Sequence, residues 1–178
     1  QGRGTFVATH TEHTTQYRFL SLHPDTGNRE AEGPATRRML ECKRAKAQAD
    51  VARALGLSTG EAVIHIKRVL AFDNTPTILE DVWLPASIFK GLNLEALDTH
   101  TGPMYALFEG QFGVRMVHAQ EKIKAIEASA NTAQWLDVPA HTPLLQVERL
   151  AYTYNDQPME WRRGQYRTDT HHYRNELY

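Results

Sequence analysis

The chain has 178 residues, enough for one domain with a sizeable hydrophobic core. Its 20 basic and 21 acidic residues give a formal net charge of −1, which excludes a global attraction to nucleic acid or to an anionic membrane. The single cysteine, Cys42, excludes an internal disulfide and indicates a reducing compartment. We interpret Cys42 as a small strand residue rather than a nucleophile, because no base is placed beside it by the sequence.

Residues 1–16 predict the end of a strand from a preceding part of the protein, followed by a linker. Residues 1–7, QGRGTFV, begin on a glycine-rich turn that feeds a short strand, so we expect the chain to be the later part of a longer protein. Residues 8–16 are polar and aperiodic, which is typical of a linker. A short strand is expected over Tyr17 to Leu22, and residues 23–35, rich in Pro, Gly, Asp and Glu, predict a loop.

Helices and strands then alternate. Apolar residues at helical spacing predict a helix over Ala47 to Leu55 that Gly56 ends. Two further helices are predicted over 103–111, with Pro103 at its first position, and over Ala128 to Leu136. The remaining predicted strands, apart from the hairpin described next, are Thr36–Ala45, Val114–Ala125, Leu144–Tyr154, Met159–Tyr166 and His171–Leu177.

The stretch from Val63 to Pro85 predicts a β-hairpin around the turn formers at 73–76. Because alternate residues of a strand share a face, Arg68 and Glu80 each lie on the more apolar face of their strand. With three residues in the loop, these two side chains face each other. A buried charge is costly unless it is paired. Either the two residues satisfy each other as an internal ion pair, or a polar ligand lies between them.

The two halves of the chain resemble each other at a shift of 81 positions. Ala52 and Leu55 match Ala133 and Leu136, and Arg68 matches Arg149. Each half therefore predicts strand, helix and hairpin, and the symmetry predicts a cleft where the halves meet.

Arg149 and Glu160 are the second-half candidates for the same inward-facing polar role. Arg149 is also a candidate for a purely structural pair with Glu148, Glu160 or a helix end. Tyr105, at a predicted helix start, either contacts an anion there or is a half-buried core residue.

Several landmarks together resemble a known family. GRGTFV at 2–7 resembles the end of the wing in the winged helix-turn-helix of GntR-family transcription regulators, and the rest resembles the UTRA ligand-sensing domain of their HutC-like subgroup. The resemblance covers residues 17 to 175. In chain order the matching landmarks are Ala52–Leu57, Arg68, Pro76, Glu80, Trp83-Leu84-Pro85, Met104-Tyr105, Phe108-Glu109, Phe112-Gly113, Ala133–Val138, Pro143-Leu144-Leu145, Glu148-Arg149, Ala151-Tyr152, Pro158, Glu160, Tyr166-Arg167 and Asp169.

The resemblance implies an α+β fold like chorismate lyase, an antiparallel sheet flanked by helices with the internal strand–helix–hairpin repeat. Residues 1–16 would be the end of the wing and the linker, and 17–178 the UTRA domain. The family further implies a homodimer, a small-molecule effector, operator DNA bound through an N-terminal winged helix-turn-helix that is missing here, and a cytoplasmic location. The residues themselves predict no membrane partner, since no apolar run approaches the roughly 20 residues that span a bilayer, and no metal, since His171 and His172 would point to opposite faces of a strand. No cofactor and no catalytic residue are expected either.

The resemblance also implies a ligand site. The residues that match the family's ligand-binding positions are Arg68, Glu80, Tyr105, Glu160 and Tyr166. Two positions depart from sugar-phosphate-sensing relatives: Leu70 stands for a second arginine, and Pro103 for a serine. Each charge-assisted hydrogen bond contributes about 1.5–3 kcal/mol and a phosphate requires several donors. A smaller carboxylate or an amphipathic metabolite therefore fits better than a phosphorylated sugar.

Two other functions compete with the sensor. A lyase acting on chorismate is suggested by the fold alone, but the sequence shows no organised nucleophile with its base and no metal cluster. A purely structural dimerisation domain is disfavoured by the inward-facing charges.

Overall fold

A computed structural model describes residues 21–28 and 32–175. The strands predicted at residues 5–7 and 17–20 and the linker at 8–16 lie outside the described residues. The elements in chain order are β1 (Leu22–Pro24), β2 (Thr36–Lys46), α1 (Ala49–Leu55), β3 (Ala62–Phe72), β4 (Thr75–Pro85), α2 (Leu94–Thr99), α3 (Met104–Phe112), β5 (His118–Glu127), α4 (Ala130–Leu136), β6 (Pro143–Tyr152), β7 (Pro158–Arg167) and β8 (His171–Tyr173).

Within this part of the chain, strands β2 to β7 form one antiparallel six-stranded sheet in the order β2-β3-β4-β7-β6-β5. The predicted repeat is confirmed, since α4 begins 81 residues after α1 and β6 begins 81 residues after β3. We call residues 36–85 the first half and 118–167 the second half. The halves join where β4 pairs with β7, so the inner strand of each hairpin lies at the centre of the sheet.

The first hairpin has the predicted pairing but a different turn. Asp73 and Asn74 both have positive φ, 46° and 59°, and form a two-residue turn of the kind whose twist suits a hairpin. A β-bulge between Leu70 and Ala71 then supplies the residue that the shorter turn lacks. Arg68 consequently lies directly opposite Glu80, as the sequence predicts.

The sheet is covered on both faces. Helices α1 and α4 pack on one face against apolar residues such as Val63, Trp161, Val69 and Leu79. On the other face α2 and α3 cover one end, where Phe108 meets residues of β3 and β4. A two-stranded ribbon of β1 and β8 covers the other end of that face. The α+β architecture with helices on an antiparallel sheet is therefore confirmed.

Three local predictions need correction. The strand predicted from Val114 begins only at His118, because Gly113 ends α3 in the left-handed conformation and residues 114–117 run through the core, where Met116 is buried. Pro103 precedes α3 as an extended N-cap residue instead of occupying its first turn. The loop predicted over 23–35 begins with part of β1, because Leu22 packs into the core and this strand pairs with β8.

Candidate functional site

A band of buried charge crosses the sheet face that α2, α3 and the β1–β8 ribbon cover. Its members lie on the four central strands, and each is less than one tenth exposed: Arg68, Glu80, Arg149, Glu160 and Arg162. Apolar clusters lie on both sides of the band, one beneath α2 and α3 and the other beneath the ribbon. The charges therefore mark the line where the two covers meet.

Glu80 lies at the centre of the band and is 1% exposed. Arg68 donates its Nε–H to Glu80 Oε2 at 2.7 Å, and Arg162 donates from Nη1 to Oε1 at 3.2 Å. Burial alone would raise the pKa of this carboxyl, but the charges of Arg162 and Arg68 overcome burial and lower the pKa to about 2. Glu80 is therefore a stable carboxylate that two guanidinium groups share.

Glu160, which is fully buried, joins the same network from β7. Arg162 binds it with two parallel hydrogen bonds, Nε to Oε1 at 3.0 Å and Nη2 to Oε2 at 2.8 Å. Tyr105, in the first turn of α3, donates its hydroxyl to Glu160 Oε1 at 2.7 Å. Burial and the Glu160 charge raise the pKa of Tyr105, so the hydroxyl stays protonated and remains a donor. The network thereby attaches α3 to the sheet.

Arg149 connects the band to the ribbon. Its Nε donates to Glu121 Oε1 of β5 at 2.8 Å, and its Nη2 lies 2.7 Å from the same oxygen. Tyr173 of β8 donates its hydroxyl to the other oxygen of Glu121. Glu148 instead faces the opposite side of the sheet, where its Oε1 lies 3.4 Å from Nε of Arg163. The sequence interpretation did not include Glu121 as a partner of Arg149.

Tyr166 is 1% exposed and its ring lies against the backbone of Gly164. A Cβ atom at Gly164 would lie 2.3 Å from Cε1 of the ring, closer than real contacts allow. Burial raises the pKa of Tyr166 to about 12. The missing side chain at 164 thus creates the space that the ring of Tyr166 fills.

The structure brings four of the predicted site residues, Arg68, Glu80, Tyr105 and Glu160, into one hydrogen-bonded network through Arg162. Arg162 was missed as a site residue, although its spacing of two from Glu160 on one strand places both on the same face. Of the two alternatives for Arg68, the ion pair with Glu80 is present, and it is made through Nε of Arg68. Its Nη1 lies 4.0 Å from Met104 Sδ at the start of α3.

The roles of the predicted residues as ligand contacts stay a prediction. So does the predicted cleft between the halves.

The structure also shows the surroundings of Cys42 and of the adjacent histidines His171 and His172. Burial raises the pKa of the Cys42 thiol, which lies half-buried on β2, so it lacks the thiolate character of a nucleophile. His171 pairs with Glu32 at 2.6 Å and His172 with Asp25 at 2.9 Å. Across residues 21–28 and 32–175, no group of three or more potential ligands could hold a metal ion. None of the helices in the same residues combines the length and the apolarity that a membrane crossing requires.

Comparison with known proteins identifies similar sequences. The sequence profile of the UTRA domain matches residues 32–172. The "Probable fructoselysine utilization operon transcriptional repressor" of Escherichia coli K12 is 26% identical over 160 residues, which is 89% of this chain and 63% of that protein. The "HTH-type transcriptional repressor PhnF" of Mycolicibacterium smegmatis is 32% identical over 119 residues, 67% of this chain and 48% of that protein. The chain thus spans about half to two thirds of the length of these curated relatives.

Solved structures share the fold. The ligand-binding domain of a GntR-family transcriptional regulator from Bordetella bronchiseptica superposes with a TM-score of 0.88 at 50% identity, covering 92% of this chain and 99% of that one. The effector domain of PhnF from Mycobacterium smegmatis superposes with a TM-score of 0.69 at 29% identity, covering 79% and 85%. The chorismate lyase-like assignment of the α+β fold is consistent with these neighbours.

Proposed function

The chain belongs to the UTRA domain family of GntR-type transcription regulators, and we propose that it senses a small anionic metabolite at the buried charge band. Relatives and structural neighbours are named as transcription regulators, which favours a regulator over the chorismate lyase-like enzyme. The chain is accordingly the effector domain of such a regulator and not an enzyme.

The observation that carries the ligand proposal is the position of Arg68. Its Nε is committed to Glu80, whereas its Nη1 reaches the first residue of α3, where it makes a long contact of 4.0 Å to the Met104 thioether sulfur. A helix N-terminus carries partial positive charge and attracts anions. A carboxylate at this point would receive donors from Arg68 and favourable charge from α3.

The other predicted contacts would hold the remainder of the effector. Tyr105 and Glu160 form a hydrogen bond beside Arg162, and Tyr166 lies on the same sheet face. With Glu80 they provide acceptors and hydroxyl groups around Arg68, which is the combination that orients a small polar acid. We propose Arg68, Glu80, Tyr105, Glu160 and Tyr166 as the effector-binding residues.

Regulation would follow from a population shift. Effector binding would favour one arrangement of the domain, and the linker near residues 8–16 would transmit this to a winged helix-turn-helix on its N-terminal side that binds operator DNA. The regulator would act as a homodimer of the HutC type in the cytoplasm, where its operator is. The domain alone would not bind the operator specifically, and a gel shift with this chain tests that expectation.

A thermal-shift screen of this chain against a metabolite library tests the ligand proposal, because a bound ligand stabilises the native state. We expect the strongest hits to be small acids whose stabilisation disappears in Arg68→Ala. Arg163→Ala is the matched control, since Arg163 lies on the opposite face of the sheet beside Trp161. Undiminished affinity for the acid in Arg68→Ala would contradict the proposed site. Incubation with chorismate, followed by an assay for pyruvate, is expected to show no turnover.

A further inference from the structure

Arg37 on β2 lies next to the proposed site, and its position in the sheet determines where it points. It pairs with Leu70 of β3, while Met39 pairs with Arg68. Directly paired residues of neighbouring strands project from the same face, and so do alternate residues of one strand. Arg37, Leu70 and Arg68 therefore lie on one face, and Arg37 is a diagonal neighbour of Arg68.

The two arginines reach the same short segment of chain. Arg37 donates from Nη1 to the carbonyl oxygen of Gly102 at 2.5 Å. Arg68 places its Nη1 4.0 Å from Sδ of Met104, two residues further along. Two guanidinium groups thus converge beneath residues 102–104, where the loop after α2 enters α3.

The charges in this corner are not balanced as they are in the centre of the band. Arg68 and Arg162 are compensated by Glu80 and Glu160, whereas the carboxylate that acts on Arg37 is that of Asp98, which is exposed. Burial and the charge of Arg68 lower the pKa of Arg37, so the two cations repel each other. An anion between them would remove this repulsion.

We propose that Arg37 is a second cationic contact of the effector site and that, with Arg68, it selects an effector whose anionic group carries two negative charges. This inference rests on the proposed function, because it places Arg68 in the site. Arg37 would supply from the neighbouring strand the guanidinium donors that Leu70 cannot supply. On binding, Arg37 would exchange the Gly102 carbonyl for the anion, with residues 102–104 lying over the bound group.

Titration of this chain with three probes at matched ionic strength tests the inference: inorganic phosphate at about pH 8, malonate, and acetate. We expect phosphate or malonate to bind at least about tenfold more tightly than acetate, since each guanidinium contact to a charged acceptor is strong. Arg37→Gln should weaken phosphate and malonate binding at least about tenfold more than acetate binding, and so remove this preference, and Arg37→Lys should keep part of it. Whether phosphate or malonate is preferred distinguishes a phosphate ester from a dicarboxylate.

Arg38→Gln is the matched control, because the Arg38 guanidinium lies over the Trp135 ring on the opposite face of the sheet. It should leave the preference for the dianion unchanged. The NMR resonance of Arg37 Nε–H gives a second readout that does not depend on the variants, and phosphate or malonate should shift it.

Three results would overturn the inference. They are a dianion preference that survives in folded Arg37→Gln, an unmoved Arg37 resonance at saturating phosphate or malonate, and no binding of either dianion at tens of millimolar. Binding that is unchanged in Arg68→Ala would instead refute the proposed function itself. If Arg68→Ala removes binding while Arg37→Gln does not alter it, only the role of Arg37 fails.

Discussion

The two halves of the molecule share their element order but arrange their buried charges differently. In the first half Arg68 lies opposite Glu80, so the hairpin carries its own ion pair. In the second half the equivalent residue, Arg149, lies opposite Arg162. Like charges directly across a strand pair are destabilising. Because Arg162 cannot neutralise Arg149, the second hairpin depends on carboxylates outside this cross-strand pair.

One of those carboxylates, Glu80, belongs to the first half, whereas Glu121 and Glu160 lie within the second half. Arg149 is paired with Glu121 at the edge of the sheet, and Arg162 binds Glu160 on its own strand and Glu80 across the central junction. The buried charges of the first hairpin, Arg68 and Glu80, cancel, whereas those of the second hairpin, Arg149, Glu160 and Arg162, leave one net positive charge that Glu80 helps to balance. The comparison indicates that electrostatics, in addition to the β4–β7 ladder, holds the halves together.

Glu80→Gln should cause the largest loss of stability, because it removes the carboxylate that arginines of both halves share. Taking away one partner of a buried ion pair leaves an uncompensated charge and costs about 3–5 kcal/mol of unfolding free energy. Urea unfolding monitored by circular dichroism measures this loss. Glu148→Gln, which alters a partly exposed pair on the opposite face, should cost less than about 1 kcal/mol. Equal losses in the two variants would contradict the central role of Glu80.

Acid should have nearly as large an effect through the same residue. The pKa of Glu80 is about 2 in the folded chain against an ordinary value of 4.5, so its contribution is fully present above about pH 4.5 and is lost as pH falls through about 2. At 1.36 kcal/mol per pKa unit this contribution is about 3 kcal/mol. The difference in unfolding free energy between wild type and Glu80→Gln should therefore shrink over this range. A difference independent of pH would refute this assignment.

Gly164→Ala tests a steric difference between the halves. Gly164 pairs with Val147 as Val82 pairs with Ile66, so Val82 is the equivalent position in the first half. The added methyl group would meet the ring of Tyr166, and overpacking of this kind costs about 1–3 kcal/mol. In a Tyr166→Ala background the same change should cost far less, because the ring is gone. A double-mutant cycle by urea unfolding measures this coupling, and additive losses would show that the contact does not matter.

Tyr173→Phe tests the contact between the second half and the ribbon, the hydroxyl that Tyr173 donates to Glu121. A hydrogen bond to a carboxylate contributes about 1.5–3 kcal/mol, and its loss at this partly exposed edge of the sheet should cost about 1.5 kcal/mol. Hydrogen exchange should show faster opening of β1 and β8, while the amides of β3 and β4 keep their protection. Tyr152→Phe, which alters a long and exposed contact to Gln120, is the control and should change neither. Unchanged exchange in Tyr173→Phe would show that the ribbon is held by packing alone.

Much of the fold could be predicted because local patterns agreed with the global structure. Helical spacing and Gly56 placed α1, and the turn residues after Phe72 placed the first hairpin. The pairing of Arg68 with Glu80 was predicted from a three-residue loop, and the actual two-residue turn with a bulge gives the same register. The turn is one residue shorter than assumed and the bulge adds one residue, so the two departures cancel in the register. The sequence pattern did not distinguish a three-residue loop from a two-residue turn with a bulge.

The network was harder to predict than the fold because its partners come from distant strands. Nothing in the sequence places Glu121 against Arg149 until the order of β5, β6 and β7 is known. Arg162 was overlooked because its pairing with Glu80 crosses the junction between the halves. The strand predicted over residues 114–117 was wrong because buried residues in an irregular segment can alternate with the same spacing as in a strand.

The junction between β4 and β7 bears on how the molecule arose. Glu80 pairs with Arg68 as Arg162 pairs with Arg149, so Glu80 and Arg162 occupy equivalent positions of the repeat. They meet across that junction with opposite charge. An ancestor made by duplicating one unit would have carried the same residue at both places, and identical ionised groups could not have formed this contact. In a protein that arose by such a duplication the present salt bridge postdates it, because at least one copy had to change its residue before opposite charges could meet at the junction.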